Sequence, residues 1–491
     1  MSQPRVGVAL WAVSLLSLSW IATAQAEAPA SGWSEPYRLS SEAGRASEGY
    51  LVADQYGYVH AFWAETLFAD EQTVLEYARF DGAAWSTPNE IHVAGRGIEN
   101  VSPVVDQQGT LHIAWTEDVD GPAFYTHAPA YNSLSVQNWA PPRRIDLPAG
   151  VVRLQVDSNS IFHLLYINRG EELGVYYVRS EDYGTTWSEP AWLDPDIPLD
   201  YTPANLYFEI DENDGLHAVW DYGALVVDAP NLAQIRYAHS LDGGNTWSVP
   251  LTIDQIIPEI GHNLDAASPV MAVAGQSVHV VWAAGALPYR YHRVSTDAGQ
   301  TWSAPQQIFG QLHGQAFDGL AVDRSGRVHF LGQIRYPQGI YHAYWDQGRW
   351  TPPTLIYMIA REGEEIGERI HAHSTHPVVR AGNQLVLTFT DPPADPNRRL
   401  FVMYHLLDDL GPLEPIPTQV PTGSLVPSPS SFPQRLTPTP TRTPQTPPID
   451  SANQPVVRPG TSGGALTVGL APAILLLAAV LAVRLVFWPR R

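Results

Sequence analysis

Two reactive side chains are missing from this chain of 491 residues: it has no cysteine, and every basic residue is arginine, so it has no lysine. The first absence rules out disulfides, thiolate nucleophiles and any zinc site built on cysteine. The second rules out Schiff-base chemistry and a phosphate-loop lysine. Positive charge is scarce as well: 28 arginines face 50 acidic residues, for a formal net charge of -22. No basic stripe interrupts this acidity, which excludes a nucleic-acid partner. Without cross-links, stability has to come from a large core, and a chain of this length can build one. Aromatic residues are plentiful, with 16 Trp and 22 Tyr, a supply that suits sheet packing and sugar stacking equally.

Long apolar runs occur only at the two ends. Residues 1–26 read as a signal peptide: Arg5, an apolar stretch from Val6 to Ile21, then Ala24-Gln25-Ala26 at the cleavage positions. Residues 27–32 form a short lead. From 411 to 464 the composition turns to Pro, Thr, Ser and Gln, which predicts a disordered, extended stalk. Residues 465–488 then predict a transmembrane helix, with Trp488 at the interface and 489–491 as a cytoplasmic tail. The expectation is a single-pass protein of the cell membrane, partnered by the lipid bilayer through this helix, with residues 33–410 outside and a processing pattern of bacterial type.

Between these ends the sequence repeats, and the repeat predicts the fold. Trp followed by Ser, Thr or Ala and then Pro within three positions recurs at Trp33, Trp85, Trp139, Trp187, Trp247, Trp302 and Trp350. A second series carries a histidine in an apolar strand: His60, His112, His163, His217, His279 and His329, five of them with an Asp six residues earlier. A third series is a strand containing Tyr, as in Leu75-Glu-Tyr-Ala-Arg79 and Ile235-Arg-Tyr-Ala-His239. Each period thus reads as an apolar first strand, a His/Trp strand, a Tyr strand and a Trp-initiated fourth strand. Four short strands with nothing helical between them make a propeller blade. The segment 33–39 is a fourth strand without predecessors, and the last period has three strands, so pairing the two closes the ring. The predicted fold is an all-β, seven-bladed β-propeller of four-stranded antiparallel blades over 33–410. Six blades is the alternative if the irregular unit near 116–150 is an insertion.

Three turns sharpen the reading: Ser180-Glu-Asp-Tyr-Gly-Thr-Thr-Trp187, Ser240-Leu-Asp-Gly-Gly-Asn-Thr-Trp247 and Ser295-Thr-Asp-Ala-Gly-Gln-Thr-Trp302. This pattern resembles the Asp box, or BNR repeat, of sialidases and their relatives, and degenerate copies follow at Asp81-Gly-Ala-Ala-Trp85 and Asp346-Gln-Gly-Arg-Trp350. The box is structural: Asp accepts backbone N–H groups, Gly supplies a positive φ and Trp packs into the sheet gap. Asp182, Asp242 and Asp297 are therefore turn residues, and the six repeated histidines are packing and hydrogen-bonding residues; no metal cluster and no cofactor is expected from them. The resemblance also implies a chemistry: three Arg clamping a substrate carboxylate, a Tyr nucleophile assisted by a Glu, and an Asp as acid/base. The family's early Phe/Tyr-Arg-Ile-Pro motif is absent, and Arg45-Ala-Ser-Glu48-Gly-Tyr50 stands in its place, with Arg45 available as a substitute.

A ligand site is expected where the loops entering the innermost strands converge, on polar residues that do not repeat. These are Arg45 and Glu48, Glu99 and Asn100, Asn205, His262 and Asp265, Asp318, and Arg369 with His371 and His373. If the site is catalytic, Glu48, Asp265 or Asp318 carries the acid/base role, while Arg45 and Arg369 orient an anionic group. The acidic insertion 361–369 either overhangs the channel mouth or is no more than a hydrophilic flap. Three readings follow: a module binding an extracellular glycan or protein ligand, an exo-acting glycoside hydrolase of sialidase type, or a non-enzymatic scaffold of a surface complex.

Overall fold

In the computed structural model of the protein, residues 32–411 are described except 119–120, 171, 198–200, 225–232, 257–266, 286, 315–317, 359–374 and 392–397. Seven sheets account for them, one per period of the sequence. Blade 1 runs Gly44–Ala53, Val59–Leu67, Thr73–Phe80 and Asn89–Val93. Blades 2 to 5 begin at Ile98, Val151, Tyr201 and Ala267, and each is an antiparallel meander of four strands. Blade 6 starts at Asp318 and adds a short fifth strand, Thr354–Tyr357, on its outer side. Blade 7 is assembled from both ends of the domain: Val378–Arg380, Gln384–Asp391 and Arg399–Leu406 are completed by Tyr37–Arg38. There Tyr37 faces Val402 and Arg38 faces Phe401, with Trp33 bridging to His405. The predicted closure is present, and seven is the number of blades.

The cores say the same thing in side chains. The buried apolar residues form seven clusters, and each joins two neighbouring blades, including blade 7 to blade 1 through Leu39, Leu400, Val402, Trp63 and Phe80. Trp63, Trp115, Trp220 and Trp282, at one position of the second strand, are fully buried. Emptying one such site costs roughly 3–5 kcal/mol. The unit near 116–150 proves to be blade 2 itself, its box turn replaced by two single-turn 3-10 segments, Ala130–Asn132 and Val136–Asn138.

The repeated polar residues form one network per blade. In blade 1 the ring of His60 lies between Asp54 (3.2 Å) and the Tyr77 hydroxyl (2.8 Å). The same Asp–His–Tyr chain recurs as Asp106–His112–Tyr125, Asp157–His163–Tyr177 and Asp211–His217–Tyr237. Tyr177 and Tyr237 reach on to the next blade: a Cβ on Gly244 or Gly299, the box glycines of blades 4 and 5, meets the hydroxyl of Tyr177 or Tyr237 at 1.8 Å. In blade 2, which lacks the box, Ser133 of the 3-10 segment receives Tyr77 instead. The box aspartates act as turn residues: Asp182 accepts from the Thr186 N–H (2.8 Å) and hydroxyl (2.7 Å), and these bonds hold its carboxyl down at about 2.

Two expectations need correction. The repeated Trp does not begin the fourth strand: Trp85, Trp187, Trp247 and Trp302 lie four residues ahead of strands opening at Asn89, Ala191, Leu251 and Gln306. The proline three positions after each Trp cannot donate to the ladder, so pairing starts beyond it. Nor does the fold contain the expected spanning helix. Among the described residues no helix is long and apolar enough to cross a membrane, because the apolar residues of 32–411 are taken up by strands. The segment 465–488 on which that helix was placed, like the signal segment and the stalk beyond 411, lies outside the described residues. The bilayer partner and the single-pass location that rested on the helix are dropped accordingly.

Candidate functional site

The innermost strands are not alike. In blades 3, 6 and 7 the first strand pairs with the second in unbroken register. In blades 1, 2, 4 and 5 the register slips, between Ala46 and Gly49, Glu99 and Ser102, Pro203 and Leu206, and Ala267 and Val270. A bulge bends the strand and re-aims the side chains it carries. Two of these bulges place a non-glycine residue at positive φ, Asn100 at 54° and Ser268 at 62°. Side chains from the second strands close them: Thr116 donates to the Glu99 carbonyl (3.3 Å), and Asp221 accepts from the N–H groups of Asn205 (2.8 Å) and Ser268 (2.7 Å).

The four bulges surround a cavity of about 260 Å³ at the centre of the ring. They contribute Ser47 and Glu48, Glu99 and Asn100, Asn205, and Ser268 to its wall. Blade 3 adds Arg153, blade 4 adds Tyr207, and blade 7 adds His376 and Arg398. Tyr50, at the base of the blade 1 bulge, donates its hydroxyl to Glu48 Oε2 (3.1 Å) and stacks on the His376 ring at 4.3 Å between centroids. His376 Nε2 stands 3.5 Å from the same carboxylate oxygen. Burial, reinforced by Glu48, holds the Tyr50 phenol well above its ordinary range, with Arg153 pulling the other way. That phenol is a proton donor at neutral pH.

The two arginines differ in how they are held. Arg398 donates Nε to the Ala46 carbonyl (2.6 Å), and burial lowers its pKa against the opposing pull of Glu48 and Glu99. Arg153 donates Nε to the Leu206 carbonyl (2.9 Å) and Nη1 to the Val152 carbonyl (2.8 Å). Among the described residues Arg153 has no carboxylate partner. It lines the cavity as a guanidinium held by two backbone carbonyls, and guanidiniums recognise carboxylates and phosphates by paired N–H bonds. Two carboxylates, two guanidiniums, two amides and two phenols give a wall that can hold an acid group at one side and hydroxyls at the other. On the same innermost strand as Tyr207, burial pushes the Glu209 carboxyl up to about 7.

Of the residues expected from sequence, Glu48, Glu99, Asn100 and Asn205 come together here. Arg45 lies on the rim side of the same strand, exposed and 3.6 Å from Glu71. Asp318 is buried away from the cavity, bound by Arg290 Nε at 2.6 Å. His262, Asp265, Arg369, His371, His373 and the insertion 361–369 lie outside the described residues. Tyr50, Arg153, Ser268, His376 and Arg398 were not singled out, because each sits at a strand position or in a loop without a local signal.

No protein-family model matches the chain, and no curated protein does. Among solved structures, the lectin BP39L from Burkholderia pseudomallei superposes with a TM-score of 0.52 at 15% identity, over 76% of this chain and 97% of its own. An ulvan lyase of family PL25, solved with -[GlcA(1-4)Rha3S]- bound, gives 0.51 at 13% identity over 77% of this chain and 100% of its own. The NanB sialidase from Streptococcus pneumoniae gives 0.40 at 13% identity, over 76% of this chain and 70% of its own. At these identities the likeness is one of fold: this chain is a β-propeller, as the lectin and the lyase are.

Proposed function

We propose that the propeller is a glycan-binding module that seats an acidic sugar in its central cavity. The observation that supports this most directly is Arg153, a guanidinium lining the cavity with no carboxylate partner among the described residues, beside acceptor groups and the rings of Tyr50 and Tyr207. The acidic envelope of the chain disfavours an anionic ligand at long range. A local cation in a confined site offsets that field, since Coulomb interactions strengthen as water is excluded. The second reading, an exo-acting hydrolase of sialidase type, is favoured by one contact, the Tyr50 hydroxyl on Glu48, which is the pairing such a nucleophile uses. The high pKa of that phenol counts against it.

The test is binding of the purified full-length chain to an array of sialylated, uronate-bearing, sulfated and neutral glycans, with fluorogenic sialoside and neutral glycosides assayed in parallel. Binding of acidic glycans without turnover, lost in R153M, is the expected result. Sialoside turnover that disappears in Y50F and E48Q would replace binding with catalysis. Neither binding nor turnover would shift the site to a protein partner.

A further inference from the structure

The two asparagines of the cavity cannot turn. Asn205 donates Nδ2 to Asp221 Oδ2 at 2.8 Å and its backbone N–H to Oδ1 at 2.8 Å. A carboxylate only accepts, so the amide nitrogen, not the oxygen, has to face it. Asn100 donates Nδ2 to the Gly150 carbonyl (3.1 Å), again an acceptor only, and to Thr116 Oγ1 (3.2 Å). Both side chains line the cavity, and neither Oδ1 has a partner among the described residues. The scaffold therefore takes the donors and leaves the acceptors to the ligand. Glu48 and Glu99 add carboxylate oxygens to the same wall.

Asp221 stands out among its equivalents. Four residues beyond the second-strand histidine, the other blades carry Ala64, Thr116, Ile167, Ala283 and Gln333; only blade 4 has a carboxylate there. Asp221 is 1% exposed, and its three bonds all go to residues of the cavity wall, Asn205 in its own blade and Ser268 in the next. A repeat that merely needed filling would not require a buried charge at one position in six.

Resting on the glycan reading above, we propose that Asp221 is a positioning residue that fixes Asn205 as an acceptor, so that the cavity selects sugars presenting free hydroxyl donors. A deoxy or O-methylated sugar would leave these half-buried acceptors unpaired in the filled cavity, which is worth roughly a tenfold loss of affinity per group. In D221N the new amide can donate to Asn205 Oδ1, turning Asn205 so that its nitrogen faces the ligand.

The experiment presents the full-length chain with glucuronate-, galacturonate- and sialate-terminated glycans whose hydroxyls are free, deoxygenated or O-methylated. Wild type should prefer the free hydroxyls. D221N and N205A should each lose about tenfold on them, D221N should lose the discrimination against O-methyl groups, and the double variant should be no worse than N205A. A change in melting temperature with unchanged discrimination overturns the proposal, because that is what a purely structural carboxylate would give. Should D221N fail to fold, N205A remains, together with exchange of the Asn205 side-chain NH2 in asparagine-labelled wild type, identified by its loss in N205A. Slow exchange supports the lock, and rapid exchange overturns it. Absence of glycan binding by wild type overturns both the glycan reading and this selectivity. Binding whose hydroxyl preference ignores D221N and N205A overturns the selectivity alone.

Discussion

The outer half of each blade and its inner edge follow opposite plans. Outside, a few residue types recur around the ring: an Asp at the hairpin, a His on the second strand, a Tyr on the third and a glycine turn received from the next blade. Inside, four bulged strands present Glu48, Asn100, Asn205 and Ser268, with no one residue type shared by all four. The repeated half binds blade to blade, whereas the unrepeated half has only the cavity to face. Stability and recognition should therefore be separable by mutation, and variants in one half should leave the other's readout unchanged.

The largest effect belongs to the outer half and exposes a difference within it. Blades 5 and 6 place His292 and His342 where blades 1 to 4 have tyrosine, bonded to His279 (3.1 Å) and His329 (3.0 Å). His292 is shorter than Tyr237, and the glycine of the next blade's degenerate box, Gly348, has open space where Gly299 meets the tyrosine hydroxyl. G299A combines that collision with a φ of +85° and should cost about 3 kcal/mol. G348A, at +82° with nothing to strike, should cost only about 1 kcal/mol. Thermal unfolding compares the two directly, and equal losses would dissolve the distinction between tyrosine and histidine blades. Glycan affinity of the folded fraction should be unchanged in both.

Acid provides the next contrast. Blade 5 has a shorter hairpin, Gly275-Gln276, and Val273 where blades 1 to 4 and 6 carry the Asp, so nothing offsets the burial of His279, whose pKa falls to about 4. His292 is lowered further by burial and by His279. In blades 1, 3 and 4 the Asp carboxylates pull the histidine partly back up. An unfolded histidine titrates near about 6.5. Below that pH the unfolded chain binds protons that the folded chain refuses, so this stability is complete above pH 6.5 and is lost as pH falls toward 4. For His279 the loss is on the order of 3 kcal/mol. H292Y installs the tyrosine of the other blades and removes one such proton, so a plot of melting temperature against pH should flatten between 6 and 4. An unaltered slope would place the acid response elsewhere in the ring.

The two halves were also unequally legible. Trp-x-x-Pro, the His strand and the Asp box are short local patterns whose residues do their work within one turn or strand, so spacing alone counts the blades. Blade 2 shows how far this goes: its box is lost, and the Trp139 and His112 positions still mark it as a blade. The cavity obeys no such rule. Glu48, Glu99, Asn100 and Asn205 were visible as polar residues entering innermost strands, whereas Tyr50 and Arg153 sit at positions that alternation reads as ordinary strand. A bulge has no sequence signature here, because it is set by which second-strand side chain closes it, as Asp221 and Thr116 do.

In the inner half, R153M should weaken acidic-glycan binding by roughly ten- to a hundredfold, since it removes one charge-assisted contact of about 1.5–3 kcal/mol. The melting temperature should move little, because both hydrogen bonds of Arg153 end on carbonyls, one of them that of Leu206 in the cavity wall, and neither belongs to an ion pair. Loss of affinity accompanied by a large drop in melting temperature would mean that Arg153 belongs to the scaffold.

The smallest effect is expected at Arg45, which shares the bulged strand of Glu48 and is the sharpest probe of where the cavity ends. Its side chain is 45% exposed, and its ion pair with Glu71 spans 3.6 Å between side chains that water reaches freely. Such pairs contribute within about 0.5 kcal/mol after screening and side-chain entropy are counted. Arg45 also repels Arg398 weakly, as the lowered pKa of Arg398 records after burial itself. R45A should therefore change both melting temperature and glycan affinity by less than twofold-equivalent amounts, about 0.4 kcal/mol. Isothermal titration at low and moderate salt distinguishes the alternatives: a salt-independent null places Arg45 outside the site, whereas a loss approaching that of R153M would extend the anion-binding wall to the rim of blade 1.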